Sequence, residues 1–323
     1  MKILSKCHSS YPRIGDQASQ QKLRRALNAY DRQKIGDKEL AVAIDETVTE
    51  IIREQLNAGA DIVTDGQVRA YDPISHIAAK IDGFEIGGLL RFFDTNYYYR
   101  QPKIVSSLAY RETLVAADFA FAREIGKEKA SAVLFGPYSL LKMSMGNKID
   151  DKKLDQLLDI YTEEMRKLSE AGACLVQFDE PAIIQHQNEA PLFLSAYKKL
   201  CQHKGQLEIL VALYFGDAAP VLGKLAEIPV DGMVFDFMYS AGLEAHLNGF
   251  SGNIGLGIID GRNTKMESAN EIAVRAEAII KKTNASKAYI TTSCGLEFLP
   301  RDRAFAKQKL CADAADMLRG AES

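Results

Sequence analysis

Cys174-Leu-Val-Gln-Phe-Asp-Glu-Pro-Ala182 reads as a buried strand that stops on two carboxylates. Leu175, Val176 and Phe178 supply the apolar run, and Asp179 and Glu180 close it. Pro181 has no N–H and holds the residue before it in extended geometry, so the strand ends abruptly with acids at its tip. In an α/β barrel the carboxyl ends of the strands carry the chemistry. The question set by this stretch is whether other strand ends bring partners to it.

Working outward, a helix over 150–171 leads into the stretch and a helix near 191–203 leaves it. The same rhythm continues with strands 207–213, 231–236, 254–259 and 287–292, separated by helices 218–227, 240–248 and 267–282 and closed by a helix at 302–318. Upstream, strands 3–8, 60–64 and 130–135 alternate with helices 19–33, 38–58 and 107–126. In the second of these helices Val42, Ile44, Val48, Ile51, Ile52 and Leu56 share one side, and Gly59 stops it as a left-handed cap does. The aromatic segment 81–105, with Arg91-Phe-Phe-Asp-Thr-Asn-Tyr-Tyr-Tyr99, breaks the pattern and reads as a hairpin or long loop. Eight strands alternating with helices predict a (β/α)8 TIM barrel with that insertion, as one domain over 1–323. A doubly wound open sheet is the alternative, but the glycine-rich first turn it uses for a dinucleotide is missing.

Composition limits the function. The 323 residues are 47% hydrophobic and 26% charged, enough for a sizeable core, and the net charge of −3 favours neither nucleic acid nor an anionic membrane. No apolar run approaches a membrane span, and the N-terminal Met-Lys-Ile-Leu-Ser-Lys-Cys-His lacks the long apolar segment of a signal peptide, so the cytoplasm is the expected compartment. Five cysteines with no CxxC pair predict free thiols rather than a disulfide framework.

Polar groups follow most of the apolar strands: Ser10, Asp65, Gln67, Asp179, Glu180, Tyr214, Asp236, Asp260, Arg262, Asn263, Ser293 and Cys294. In a barrel they converge on one mouth. Each also has a plainer role, since Asp and Asn cap helices and shape turns, and a lone Cys is often a small buried hydrophobe. Asp179 and Glu180 can bind an amino group, accept a proton or fix a cation. Neighbouring strand side chains face opposite ways, so only one of the two is expected at the mouth. Cys294 is the nucleophile or metal-ligand candidate. There is no HxH, HxC, CxxC or HExxH. Cys7-His8 ends the first strand and, with Cys294 and Asp236, is the remaining way to assemble a metal site. Lys22, Arg24 and Arg25 follow the Pro12-Arg-Ile-Gly15 loop and either attract a polyanionic tail or form a solvated helix face.

Taken together, Tyr11-Pro-Arg-Ile-Gly15, Gly83-Phe84, Arg91-Phe-Phe-Asp-Thr-Asn-Tyr97, Leu134-Phe-Gly-Pro137, Val176-Gln-Phe-Asp-Glu-Pro-Ala182, Tyr214-Phe-Gly216, Val230-Asp-Gly232, Gly257-Ile-Ile-Asp-Gly-Arg-Asn263 and Ser293-Cys-Gly295 resemble the cobalamin-independent methionine synthases, which consist of two related barrels. Asp-Thr-Asn-Tyr, Tyr-Phe-Gly and Gly-Arg-Asn look like the amino-terminal barrel. The family's catalytic barrel holds zinc through His-x-Cys, a Glu and a Cys, and the zinc presents the homocysteine thiolate to the methyl donor. In this chain Ala212-Leu-Tyr214 stands where the His-x-Cys would be, with Asp236 at the Glu position and Cys294 at the last Cys. Two of the four ligands are thus replaced, and Asp236 and Cys294 alone are the weak metal candidates.

The resemblance implies further roles. Asp179 resembles the carboxylate that binds the substrate's ammonium, and Ser10 the serine that holds its carboxylate. Gln67 stands where the catalytic barrel has a Glu. Arg13, Lys22 and Arg91 are the candidates for binding the folate's glutamate tail. The expected function is methyl transfer from a folate or corrinoid carrier to a thiol such as homocysteine, with Asp179, Glu180, Gln67, Tyr214, Asp236, Arg262 and Asn263 around the substrate and Cys294 at the reaction centre. The alternatives are a metal-free barrel that binds folate or a separately encoded catalytic barrel, and a different reaction on this scaffold, such as decarboxylation of a porphyrin-like substrate. A homodimer is a further possible assembly.

Overall fold

The computed structural model describes residues 1–146, 149–225 and 227–321. Its strands are β1 (Lys2–Ser5), β2 (Ile81–Arg91), β3 (Tyr98–Tyr110), β4 (Ala132–Phe135), β5 (Leu175–Asp179), β6 (Glu208–Leu213), β7 (Gly232–Asp236), β8 (Asn253–Ile259) and β9 (Lys287–Thr292). Seven of them form one parallel sheet in the order β1-β9-β8-β7-β6-β5-β4. The eighth stave is short. Ile62 and Val63 make single parallel bridges to Lys6 and Ala130, which link the two edge strands of that sheet. Backbone bonds from Cys7 N to Ile62 O (2.9 Å) and from Val63 N to Lys129 O (2.9 Å) carry the closure. The expected strand over 60–64 is therefore reduced to two residues with ladder bonds on both sides.

The segment read as a hairpin or long loop is an antiparallel hairpin, β2 paired with β3 from Ile81↔Tyr110 to Arg91↔Tyr98. It runs further than expected and corrects the helix placed at 107–126. Leu108 and Tyr110 face inward on alternate positions, and the helix begins only at Ala116. Buried Glu164 explains the delay: its carboxylate accepts from the N–H groups of Leu114, Val115 and Ala116 at 2.8, 2.7 and 2.6 Å. It thus supplies from a neighbouring helix the acceptors that a helix start needs. The helices expected at 218–227 and 240–248 are shorter, Ala219–Leu222 with a 3-10 turn and a 3-10 turn at Leu243–His246.

Alternation along β5 sorts its side chains. Phe178 points outward to Tyr161 and Tyr197 of the surrounding helices, with ring centroids 6.0 and 6.1 Å away. Gln177 and Asp179 point into the barrel, and the apolar layer between sheet and helices is the main core. Among the described residues, no helix is long and apolar enough to cross a membrane.

Candidate active site

At the carboxyl ends of the strands lies a narrow cleft lined by Ser10, Gln67, Asp179, Tyr214, Cys294 and Glu297, among others. Asp179 ends β5 and is 3% exposed. Its Oδ1 accepts from Gln177 Nε2 at 2.7 Å and its Oδ2 from the Tyr214 hydroxyl at 3.4 Å. Burial pushes its carboxyl up, opposed by the Gln177 bond and the charge of Lys6.

Glu297 is the second acid of the cleft, and sequence reasoning missed it. Burial of its carboxyl end pushes its pKa up to about 7, against a short hydrogen bond from Ser10 Oγ. Gly295 makes this approach possible, because a Cβ at that position would overlap both Ser10 Oγ and the Glu297 carboxylate. The available signal was an acid three residues after Cys294 at a strand end. Gln67 lines the same cleft in the left-handed region, φ 52°, with its N–H on Asp65 Oδ1 at 3.0 Å. The carboxylate that the resemblance places at Gln67 is thus absent there, and Glu297 brings one in from another strand end.

The turn of the hairpin roofs the cleft. Phe215, which sits at φ 66°, packs against Phe92, Phe93 and Phe298 at centroid distances of 5.7, 5.6 and 5.8 Å. Positive φ is a costly backbone state for a bulky residue, and such outliers cluster at functional sites. Arg262 lies over the rings of Phe215 and Tyr239, 5.1 Å from each, and donates to Asp94 O at 2.8 Å. It belongs to the roof rather than to the floor where Asp179 lies.

Several expected site residues are elsewhere. Glu180 turns away from the cleft and accepts from Tyr138 N (3.1 Å), Ser139 N (2.7 Å) and Tyr197 OH (2.8 Å). It caps the helix Pro137–Met143, and Gly136 leaves the space for it. Asp236 accepts from the N–H groups of Phe215, Met238 and Tyr239 at 3.2, 2.9 and 3.1 Å, fixing two loops, and burial raises its pKa to about 6. Asn263 is exposed and accepts from Lys265 N at 2.9 Å. Of the expected tail-binding groups, Lys22 pairs with Glu46 and Glu50 on an outer helix. Arg13 donates to Ala70 O at 3.0 Å, and Arg91 lies beside Asp94 in the hairpin turn. The structure does not bring these three cations together.

The zinc implied by the resemblance does not fit these residues. Ala212 offers no donor, and the Tyr214 hydroxyl is directed to Asp179. The Asp236 oxygens already serve three backbone donors. Cys294 is 1% exposed, burial pushes its thiol well above the usual range, and its Sγ lies 3.3 Å from Gly295 O as a donor. Cys7 is a free thiol in a separate apolar cluster with Leu23 and Val48, apart from the cluster that holds Cys294. Burial holds the neighbouring His8 well below the usual imidazole range, and its ring stands edge-on to Tyr214. Among the described residues, no three His, Cys, Asp or Glu side chains are grouped to hold a metal ion.

Comparison with known proteins bears on this arrangement. The family model described as the amino-terminal domain of the cobalamin-independent synthase matches residues 87–284. A curated methionine synthase from Sulfurisphaera tokodaii is 29% identical over 301 residues, 91% of this chain and 88% of that protein. One from Saccharolobus solfataricus is 28% identical over 314 residues, 95% of this chain and 93% of that protein. These relatives are of single-barrel length. Among solved structures, a B12-independent methionine synthase from Shewanella sp. W3-18-1 superposes with a TM-score of 0.81 at 18% identity, over 100% of this chain and 99% of that one.

Proposed function

The chain belongs to the cobalamin-independent methionine synthase family, and from that membership we propose that it transfers a methyl group to the thiol of an amino acid such as homocysteine, with Asp179 and Glu297 receiving the α-ammonium group. The observation that carries the reading is the convergence of these two carboxyl groups on one small cleft. Taking carboxylates out of water is costly, and a cation between them offsets that cost. Both groups are pushed upward by burial, which is the environment that an incoming ammonium relieves. Ser10 donates its one hydroxyl proton to Glu297 and so holds that carboxylate in place at the cleft.

The cleft is narrow, and a small ligand such as an amino acid is the class of molecule it could admit. A methyl-folate or methyl-corrinoid carrier is larger and has to approach from the aromatic roof, where Phe93, Phe215 and Tyr239 offer ring faces. Transfer forms the sulfur–methyl bond as the carrier's bond to that methyl breaks; the thiol proton ends on the nitrogen that a folate carrier leaves behind, or goes to solvent where the carrier is a corrinoid. No step is assigned to a metal, since the donor set does not fit one. The relatives named methionine synthase have this chain's length, which supports a catalyst that works as one barrel. Its compartment on this reading is the cytoplasm.

A second reading is supported by Ala212 and Tyr214: a barrel that binds the amino acid or folate without transferring methyl, and serves a separate catalytic barrel. A transfer assay with homocysteine and each carrier type tests the first reading. Methionine formation by the purified chain supports it. Amino-acid binding without turnover moves the assignment to the second reading, and the absence of both overturns the substrate.

A further inference from the structure

Lys6 is 0% exposed and sits in the barrel beneath the cleft. Its ammonium donates to Cys7 O at 2.9 Å, His8 O at 3.0 Å and Gln177 Oε1 at 2.7 Å, so all three protons are taken by acceptors inside the protein. A lysine ammonium can only donate. The oxygen of the Gln177 amide must therefore face Lys6, and its nitrogen must face the other way. That nitrogen donates to His8 O at 3.0 Å and to Asp179 Oδ1 at 2.7 Å. Were the amide turned over, its oxygen would meet the Asp179 carboxylate, and the carboxyl would need a proton to donate to it. The orientation set by Lys6 thus compels Asp179 Oδ1 to be an acceptor.

We propose that Lys6 is a positioning residue for the reaction: through Gln177 it holds Asp179 Oδ1 as an acceptor and favours the ionised carboxylate in the cleft, ready for the substrate's ammonium group. This rests on the reading of Asp179 as the ammonium anchor. The groups facing Asp179 divide in their effect. Lys6 from the end of β1 favours the ionised form, as do the bonds from Gln177 on its own strand and from Tyr214 at the end of β6. Glu297, from the loop after β9, opposes it. His8, also from the β1 end, is held neutral by burial and by Lys6 and adds no charge. Burial lowers the pKa of Lys6 from its ordinary value, while the charge of Asp179 supports its protonation, so each partner maintains the other. Neither Lys6 nor Gln177 lines the cleft, and Lys6 acts only through another side chain.

The test is carbon-13 NMR of the full chain labelled at aspartate side-chain carbonyl carbons, with the Asp179 signal assigned by its loss in Asp179→Asn. Replacing Lys6 with Met is expected to raise the Asp179 titration midpoint by roughly one pH unit or more, the size of effect that a nearby opposite charge produces. Gln177→Leu keeps the charge and removes the hydrogen bond, and raises the midpoint by less; it stands in if Lys6→Met fails to fold. A midpoint unchanged in the folded variants overturns the proposal, because a lysine that only fills space would not move it. Calorimetric titration with L-homocysteine at pH 7 separates the two ideas. Affinity that falls about tenfold in Lys6→Met and recovers as the pH rises supports the relay. Affinity unchanged in Asp179→Asn refutes the ammonium anchor, while the NMR titration still decides the influence of Lys6 on Asp179.

Discussion

Ser10 Oγ donates to the Glu297 carboxylate across 287 residues of sequence, joining the loop after β1 to the loop after β9 at the cleft. On the proposed reading this pair replaces a charge that is missing at Gln67. Glu297→Gln keeps the shape and removes the charge. It is expected to weaken homocysteine binding about tenfold, in line with the roughly 1.5–3 kcal/mol carried by a hydrogen bond to a charged group. Calorimetric titration at pH 7.5 checks it, and an affinity equal to that of the unmodified protein would remove Glu297 from the site.

Glu180 gives the contrasting result. Its oxygens satisfy Tyr138 N, Ser139 N and Tyr197 OH, all buried. Glu180→Ala leaves those donors unpaired and is expected to cost roughly 3 kcal/mol of stability. Homocysteine affinity of the folded variant should stay within about threefold. Urea denaturation with a parallel titration separates the effects; a stable variant that has lost binding would return Glu180 to the cleft.

Four acids at or near the barrel mouth set a pH dependence of stability. Asp179, Glu180 and Glu297 are raised to about 7 and Asp236 to about 6. A carboxyl whose folded pKa exceeds its unfolded one keeps its proton in the native state after the unfolded chain has lost it. Stability from these groups is therefore present below the unfolded pKa and is lost as the pH rises through about 4 to 7. The melting temperature should fall by a few degrees between pH 5 and 7.5, and Glu297→Gln should flatten part of that slope. A melting temperature that rises steadily across the interval would contradict the sign.

Arg262 ties the roof together through Asp94 O and the faces of Phe215 and Tyr239. Stacked cations of this kind contribute about 0.5–2 kcal/mol. Arg262→Met should raise amide hydrogen exchange in residues 92–97 by roughly tenfold while the strands of the sheet stay protected. Uniform protection would show that the hairpin turn is held by its aromatic contacts alone.

Much of the barrel was readable because its strands are short apolar runs bounded by turn residues. Apolar runs such as Leu134-Phe135 and Val234-Phe235 have one plausible partner layer, the helices, and β4 to β9 fall close to the expected positions. What failed depended on distant contacts. The start of the helix at Ala116 is set by Glu164, and Ile62–Val63 pairs as a stave only because two edge strands lie beside it. The site divides the same way. Ser10, Gln67, Asp179, Tyr214 and Cys294 meet in the cleft because strand ends converge. Alternation along β5 separates Asp179 from Glu180. Glu297 lies beyond the strand on an irregular loop, where no periodicity marks which way a side chain turns. Lys6 fell inside the strand expected over 3–8 with nothing to mark which way its side chain turns, and its burial is made possible by the acceptors that Gln177, Cys7 and His8 provide.

The most direct measurement is the affinity of the chain for L-homocysteine relative to 4-mercaptobutyrate, which lacks only the amino group, in the unmodified protein and in Asp179→Asn. The account predicts a preference for the amino acid of roughly ten- to a hundredfold that collapses toward unity in Asp179→Asn, the cost of one charge-assisted contact. An equal affinity for the two ligands, or a preference that survives the substitution, would contradict the assignment of Asp179 as the ammonium anchor.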